Sequence, residues 1–118
     1  MASPERTVAE DYIAAVNAAD IEALLALFSE KAQLRNPIGT FDGKEAIRAF
    51  YEGVVFRSKV HATVSKILSG DGHTMMEMYA ETPFRPDYRA WAVDVFDLDA
   101  EGLVTKLWIY YVELAPTD

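Results

Sequence analysis

The stretch WAVDVFDL, residues 91–98, places an acid in the middle of an apolar run. Side chains alternate between the two faces of a strand, so Asp94 shares a face with Ala90, Ala92 and Phe96. Such an acid is either solvated on an outer face, or buried and protonated, because burial of an unpaired carboxylate raises its pKa. In the second case Asp94 donates a hydrogen bond from a neutral carboxyl group.

Tyr12 is the second candidate for a chemical role. Helical spacing places it with Val8, Ala15 and Val16 on the apolar stripe of the first predicted helix. Its hydroxyl then needs a partner or a cavity, although a lone tyrosine of this kind is more typical of core packing. A phenol and a neutral carboxylic acid that point into one apolar pocket would form an oxyanion hole, which stabilises an enolate made from a ketone.

Asn36 and Glu77 are further polar residues in apolar surroundings. Asn36 lies in QLRNPIGT, a short strand that runs into a turn at Pro37 and Gly39. Its amide hydrogen-bonds but is not a useful base. Counting back from Asp94 points Glu77, in TMMEMYAE, toward the same face, but a shift of one residue in ETPFRPDY would reverse its direction. An exposed strand acid and an inward base both stay open for Glu77.

Three predicted helices come first in the chain. Ser3, Pro4 and Glu5 have the types expected of an N-cap and the first helical turn. Asp20 can cap a second helix, IEALLALFSE, whose apolar face includes Phe28. The segment DGKEAIRAFYEGVV predicts the third, with its apolar residues on one side.

Strands follow, because the hydrophobic period changes to two after Lys59. Four are predicted, in KVHATVSKIL, TMMEMYAE, RAWAVDVFDL and LVTKLWIYYVEL, joined mostly by tight turns. This order predicts an α+β fold, a cone in which three N-terminal helices pack on a curved, mostly antiparallel sheet and enclose an apolar pocket. We expect residues 1–118 to form a single domain.

Composition narrows the classes of partner. The net charge of -8, with 19 acidic and 11 basic residues, repels phosphate and anionic lipid, so neither nucleic acid nor membrane is an expected partner. The absence of cysteine and of an apolar run of signal length predicts a cytoplasmic protein. His61 and His73 are too few and too separated for a metal site, and no glycine-rich phosphate loop is present, so no metal or cofactor is assigned.

The whole sequence resembles the ketosteroid isomerases (steroid delta-isomerases), within the nuclear-transport-factor-2-like or SnoaL-like superfamily. The resemblance rests on YIAAVNAADIEALLALF, GKEAIRAFYEG, VDVFDL, and RNPIGT where the family commonly has an Asp-Pro-(Val/Ile)-Gly motif. That family is the worked case of a protonated aspartic acid paired with a tyrosine. The resemblance implies that Tyr12 and Asp94 form the oxyanion hole and that Tyr51 donates to Tyr12. Phe28 stands where some members have a further tyrosine.

The resemblance also places Asn36 at the position of the catalytic base, an aspartate that moves a proton next to the 3-keto group of a Δ5 steroid. Three explanations stay open: an isomerase whose base was replaced, a noncatalytic binder of a hydrophobic ligand, and an enzyme in which Glu77 is the base. Loss of a positioned base lowers a rate by about 10²- to 10⁴-fold. The expected partner is a hydrophobic, steroid-like small molecule.

Further expectations concern the two faces of the sheet. The pocket wall is expected to include Val16, Phe28, Phe50, Val54, Ala92, Phe96 and Trp108. Trp91, Val93 and Val95 make the other face of their strand apolar as well, which a monomeric sheet would leave exposed. A homodimer through this outer face is therefore predicted, and the resemblance implies the same.

Overall fold

The computed structural model of the chain describes residues 3–114. The helices are α1 (Pro4–Ala18), α2 (Ile21–Leu25) and α3 (Lys44–Phe50), and α3 continues into a π-helical turn, Tyr51–Val55. The strands are β1 (Phe28–Asn36), β2 (Gly39–Asp42), β3 (His61–Gly70), β4 (His73–Thr82), β5 (Arg85–Leu98) and β6 (Val104–Leu114). In this part of the chain no helix has the length and apolar character that crossing a membrane requires.

The helices begin where the sequence predicts. The Ser3 hydroxyl accepts a hydrogen bond from the Arg6 backbone N–H at 3.2 Å, and the Asp20 carboxylate accepts one from the Ala23 N–H at 3.1 Å. The predicted length of the second helix is wrong, because α2 ends at Leu25 and Phe28 already begins β1. Pairing of β1 with β2 and β6 stabilises the extended backbone there over the helical periodicity of its sequence.

The six strands form one sheet in the order β2-β1-β6-β5-β4-β3. All neighbouring pairs are antiparallel except β1 and β6, which run parallel. Helix α1 packs across β3 and β4, and α3 packs against β1 and β2. The α+β class with helices on a mostly antiparallel sheet is therefore confirmed. The sheet is open, and two further strands, β1 and β2, precede the four that are predicted after Lys59.

The two faces of β5 differ as alternation predicts. Ala90, Ala92, Asp94 and Phe96 are buried, and we call their side of the sheet the inner face. The opposite side, the outer face, contains Trp91, Val93 and Val95 of β5. Since β5 lies between β4 and β6, it is hydrogen-bonded to a neighbouring strand on both of its edges.

Candidate functional site

A cavity of about 300 Å³ lies between the helices and the inner face of the sheet. Its walls are mostly apolar and are contributed by α1, the π-helical turn and strands β4 to β6. Tyr12, Tyr51 and Asp94 form a buried end of the cavity, each 4% exposed or less. Ile38 and Val54, 63% and 44% exposed, mark its opening to solvent. The volume is at the lower limit of ordinary small-molecule sites.

Asp94 is the most unusual polar group in the cavity. It is paired on β5 between Met76 of β4 and Ile109 of β6, so neighbouring strands fix its backbone on both sides. It is 1% exposed, and its Oδ1 atom has no hydrogen-bond partner within residues 3–114. Burial raises the pKa of Asp94 to about 7. Near neutral pH a large share of this group is a neutral acid, which can donate a hydrogen bond into the cavity.

Two tyrosines lie at the same end of the cavity. Tyr12, on α1, and Tyr51, in the π-helical turn, share a hydrogen bond with their hydroxyl oxygens 2.5 Å apart. Burial raises the pKa of Tyr12 well above 10 and raises the pKa of Tyr51 as well, so both remain neutral phenols. A pair of phenols needs only one proton for its mutual hydrogen bond. The second proton is free to donate to a ligand oxygen.

Asn36 ends β1 and lines the cavity beside the turn into β2. Its Oδ1 atom accepts hydrogen bonds from the backbone N–H groups of Ile38, at 2.8 Å, and Gly39, at 3.2 Å. This Asx-type turn occupies the carbonyl end of the amide. What remains of the side chain for a ligand is the NH₂ group, which donates hydrogen bonds and cannot accept a proton.

Asp94 is the one carboxylate that the described part of the chain contributes to the lining of the cavity. Of the two directions that the sequence leaves open for Glu77, the structure shows the exposed one and not the inward base: Glu77 pairs with Val93 on the outer face, and its carboxylate accepts a hydrogen bond from the Ser65 hydroxyl at 2.8 Å. The physical reason is the burial of Met76 and Met78 on either side of it. An irregularity between Ala80 and Thr82 changes the phase that the sequence count assumed.

The structure divides the residues predicted for the pocket wall into two groups. Val16, Phe50, Val54 and Ala92 line the cavity, whereas Phe28, Phe96 and Trp108 do not. Phe28 and Phe96 are fully buried in the core, and the Phe96 ring packs edge-on against Tyr12 with ring centres 5.2 Å apart. Phe96 therefore helps to position Tyr12 from behind.

Trp108 lies on the outer face because Ile109, its neighbour, is the residue opposite Asp94. The Arg35 guanidinium sits 4.4 Å from the centre of the Trp108 ring. Ile109 and Tyr111 line the cavity instead. Alternation indicates that residues of this strand take opposite faces in turn, but not which set is inward.

Arg85 and Tyr88 also line the cavity, and neither is among the residues predicted for its wall. Both lie in ETPFRPDY, interpreted as a connection, whereas β5 already begins at Arg85. Prolines at positions 83 and 86 account for that interpretation, since proline removes a backbone donor and is confined to strand edges and ends. Within residues 3–114 no cluster of three or more metal-ligating side chains is present.

The sequence profile of the SnoaL-like domain family matches residues 9–107. Among solved structures, the Δ5-3-ketosteroid isomerase from Mycobacterium sp. superposes with a TM-score of 0.80 at 21% identity, over 96% of this chain and 100% of that chain. The Mycobacterium tuberculosis protein RV0760c, in complex with estradiol-17β-hemisuccinate, gives 0.79 at 19% identity, over 94% and 95%. SalBIII, an epoxide hydrolase/cyclase-like enzyme in pyran ring formation of salinomycin, gives 0.81 at 24%, over 92% and 90%. At these identities the structural likeness shows a common fold.

Proposed function

The chain belongs to the SnoaL-like domain family, and from this membership and the chemistry of its cavity we propose that it binds a hydrophobic small molecule by a ketone or phenol oxygen. The observation that carries the proposal is the buried Oδ1 atom of Asp94, a residue of the cavity lining, because this atom has no hydrogen-bond partner in the described residues. A buried polar atom left unpaired destabilises the fold by about 1–3 kcal/mol. A ligand oxygen between Asp94 and Tyr12 would satisfy it.

The ligand class follows from the donors. Tyr12, Asp94 and the Asn36 amide all offer hydrogens, so the complementary group is an oxygen acceptor, and the apolar walls fit an apolar body. A 3-oxo steroid or a phenolic analogue meets both requirements. A structural neighbour that is a ketosteroid isomerase and another that is bound to an estradiol derivative support this assignment.

The same donors would stabilise the dienolate formed when a 3-oxo-Δ5 steroid loses a proton on its way to the conjugated Δ4 ketone. Between residues 3 and 114 no second carboxylate lines the cavity to remove that proton, because Asn36 stands in the wall and Glu77 lies outside. We therefore propose a binding site with an oxyanion hole and with little or no isomerase activity. The noncatalytic binder and the base-deficient isomerase share this site and differ only in what aspartate at position 36 would do.

Replacing Asp94 with asparagine tests the proposed oxygen site. Asparagine keeps the shape but replaces an acidic O–H donor with a weaker amide donor, so we expect a phenolic steroid analogue to bind roughly tenfold more weakly. The affinity is measured by calorimetric titration at pH 6, where the carboxyl group of the parent chain is mostly protonated. The analogue that lacks the phenol oxygen serves as a matched ligand that cannot accept a hydrogen bond from the site, and its affinity should be the same for Asp94→Asn and for the parent chain.

Asp97→Asn is the matched protein control, because Asp97 lies on the same strand but pairs with His73 at the surface. Its affinity for the phenol should equal that of the parent chain. An equal affinity for Asp94→Asn would contradict the role of Asp94, and a parent chain that binds no phenol would contradict the proposed ligand class.

We also propose that the protein is a homodimer through the outer face. Val93, Tyr110 and Val112 are 38%, 54% and 59% exposed on adjoining positions of β5 and β6. Sedimentation equilibrium at micromolar concentration should give twice the chain mass of 13.2 kDa, and Val112→Lys should shift the population toward the monomer by placing a charge in this apolar patch. A mass of one chain for the parent protein would contradict the proposed homodimer.

A further inference from the structure

Among the residues that the structure describes, Arg85 is the one basic residue in the lining of the cavity. It begins β5 and is exposed, at the end of the cavity that opens to solvent. Ser58 and Thr82 lie near it in the lining, and the Thr82 hydroxyl donates to the Ser58 carbonyl at 2.6 Å, which ties the end of β4 to the segment after the π-helical turn. The mouth of the cavity therefore combines a polar, cationic side at Arg85, Ser58 and Thr82 with an apolar side at Ile38 and Val54.

The Arg85 guanidinium has a defined position. It lies over the Tyr88 ring, 4.6 Å from the ring centre, and the Tyr88 hydroxyl points to Glu113 at 3.5 Å. A guanidinium stacked by its face on an aromatic ring keeps the N–H groups of its edge available. No carboxylate within residues 3–114 lies within 4.0 Å of Arg85.

Arg89 is an arginine of the same strand that also lies over a tyrosine ring but contacts a carboxylate. Its guanidinium lies over Tyr79, 4.5 Å from the ring centre, and also contacts the Glu81 carboxylate at 3.2 Å. The chain has 19 acidic residues for 11 basic ones, so acidic partners are plentiful. Arg85 nevertheless faces the cavity mouth with its charge uncompensated by a contacting acid in the described residues.

The cavity thus has two polar ends of different character. At the buried end Asp94 and Tyr12 offer neutral donors, and at the mouth Arg85 offers a permanent positive charge in a forked array of donors. A guanidinium fork matches the paired oxygens of a carboxylate, sulfate ester or phosphate. A ligand with a single ketone or phenol oxygen would leave the mouth unused.

We propose that Arg85 forms an anion-binding subsite and that the ligand is an elongated apolar molecule with a ketone or phenol oxygen at one end and an anionic oxygen group at the other. This inference rests on the proposed function, since it assigns the second end of the same site. Arg85 is then the residue that discriminates acidic ligands from neutral ones of the same shape.

The test compares acids with their methyl esters. The probes are para-hydroxybiphenyls whose far ring carries an alkanoic acid chain of increasing length, each paired with its neutral ester and titrated calorimetrically into the full chain. We expect the best-fitting acid to bind about three- to tenfold more tightly than its ester, the range for a partly exposed charged hydrogen bond. The preference should shrink at high salt, because an exposed ion pair is screened.

Substitutions at Arg85 and Arg89 test whether the preference for the acid comes from Arg85. Arg85→Gln should bring the ratio of acid to ester affinity down to about one, and Arg85→Lys should restore part of that ratio because it returns the charge without the forked array of donors. Arg89→Gln is the matched control, an arginine of the same strand with its own acid, and should keep the preference in full.

The possible outcomes are distinct. Equal binding of acid and ester at every chain length, or a preference that survives Arg85→Gln, overturns the subsite while the proposed function stands. If neither the acids nor the esters bind, the proposed function fails and the subsite fails with it. Replacement of the carboxylate by a sulfate ester then distinguishes which oxyanion the fork accepts best.

Discussion

Asn36→Asp is expected to accelerate the conversion of a 3-oxo-Δ5 steroid to its conjugated isomer by about 10²- to 10⁴-fold, the usual contribution of a positioned general base. The substitution is nearly isosteric, and one oxygen of the new carboxylate can accept the same hydrogen bonds from Ile38 and Gly39 that Asn36 accepts now. These bonds favour the ionised carboxylate. The second oxygen would replace the amide donor in the cavity wall and could take the proton.

The rate is followed by the ultraviolet absorbance of the conjugated ketone, for the parent chain and the variant side by side. Thr40→Asp is the matched control, because it adds the same charge on β2 at an exposed position outside the cavity lining. Glu77→Gln should leave both rates unchanged, since Glu77 lies on the outer face.

The result decides between the two forms of the proposed function. A large gain would mean that Asn36 replaces the base of an isomerase site. If Asn36→Asp folds and binds a phenolic steroid but shows no gain, steroid isomerisation is the wrong reaction, and the noncatalytic binder is the form that stands.

Local periodicity was sufficient to predict some of this site. Alternation along β5 placed Asp94 among Ala90, Ala92 and Phe96, and helical spacing placed Tyr12 on the buried stripe of α1, and both placements agree with the observed burial. Each depends only on residues within one element, whose geometry the backbone repeats at a fixed period. The α+β class follows for the same reason, since it depends on the order of the elements.

Features that depend on pairing between distant strands were not predictable. Phe28 was placed on a helix because its immediate neighbours have helical spacing, whereas partners 76 residues away, at Val104, hold it in a strand. The direction of Glu77 depends on an irregularity in the pairing of β4 with β5, and the residue types of this segment do not specify that irregularity. The inward set on β6 likewise depends on its register with β5.

The chemistry available to Asn36 follows only from the sequence and the structure taken together. The resemblance gave its position, but the structure shows that its carbonyl oxygen is occupied by the turn that follows. An asparagine before a proline and a glycine is typical of such a turn, so the signal is present in QLRNPIGT. What the sequence lacks is the location of that turn in the wall of the same cavity as Asp94 and Tyr12.

The burial of Asp94 should also be visible in the stability of the protein. In the folded state its pKa is raised to about 7 from an ordinary value of 3.8, so the folded protein holds this proton over a pH range in which the unfolded chain has lost it. The free energy of unfolding contributed by this group therefore falls as pH rises from about 4 to about 7, and is level above that range. Three pKa units at about 1.4 kcal/mol each give an effect on the order of 4 kcal/mol.

Asp94→Asn removes this titration while keeping the shape of the neutral acid, so its stability relative to the parent chain should increase with pH. We expect the advantage of the variant to grow by roughly 2–4 kcal/mol between pH 4 and pH 8, measured as free energies of unfolding in urea across that range. Asp87→Asn, at an exposed position of the same strand, controls for the loss of one negative charge. If the free energies of unfolding of variant and parent differ by the same amount at every pH, the pKa of Asp94 is the same in the folded and unfolded states. The cavity would then have no carboxylic acid to donate to a ligand at neutral pH.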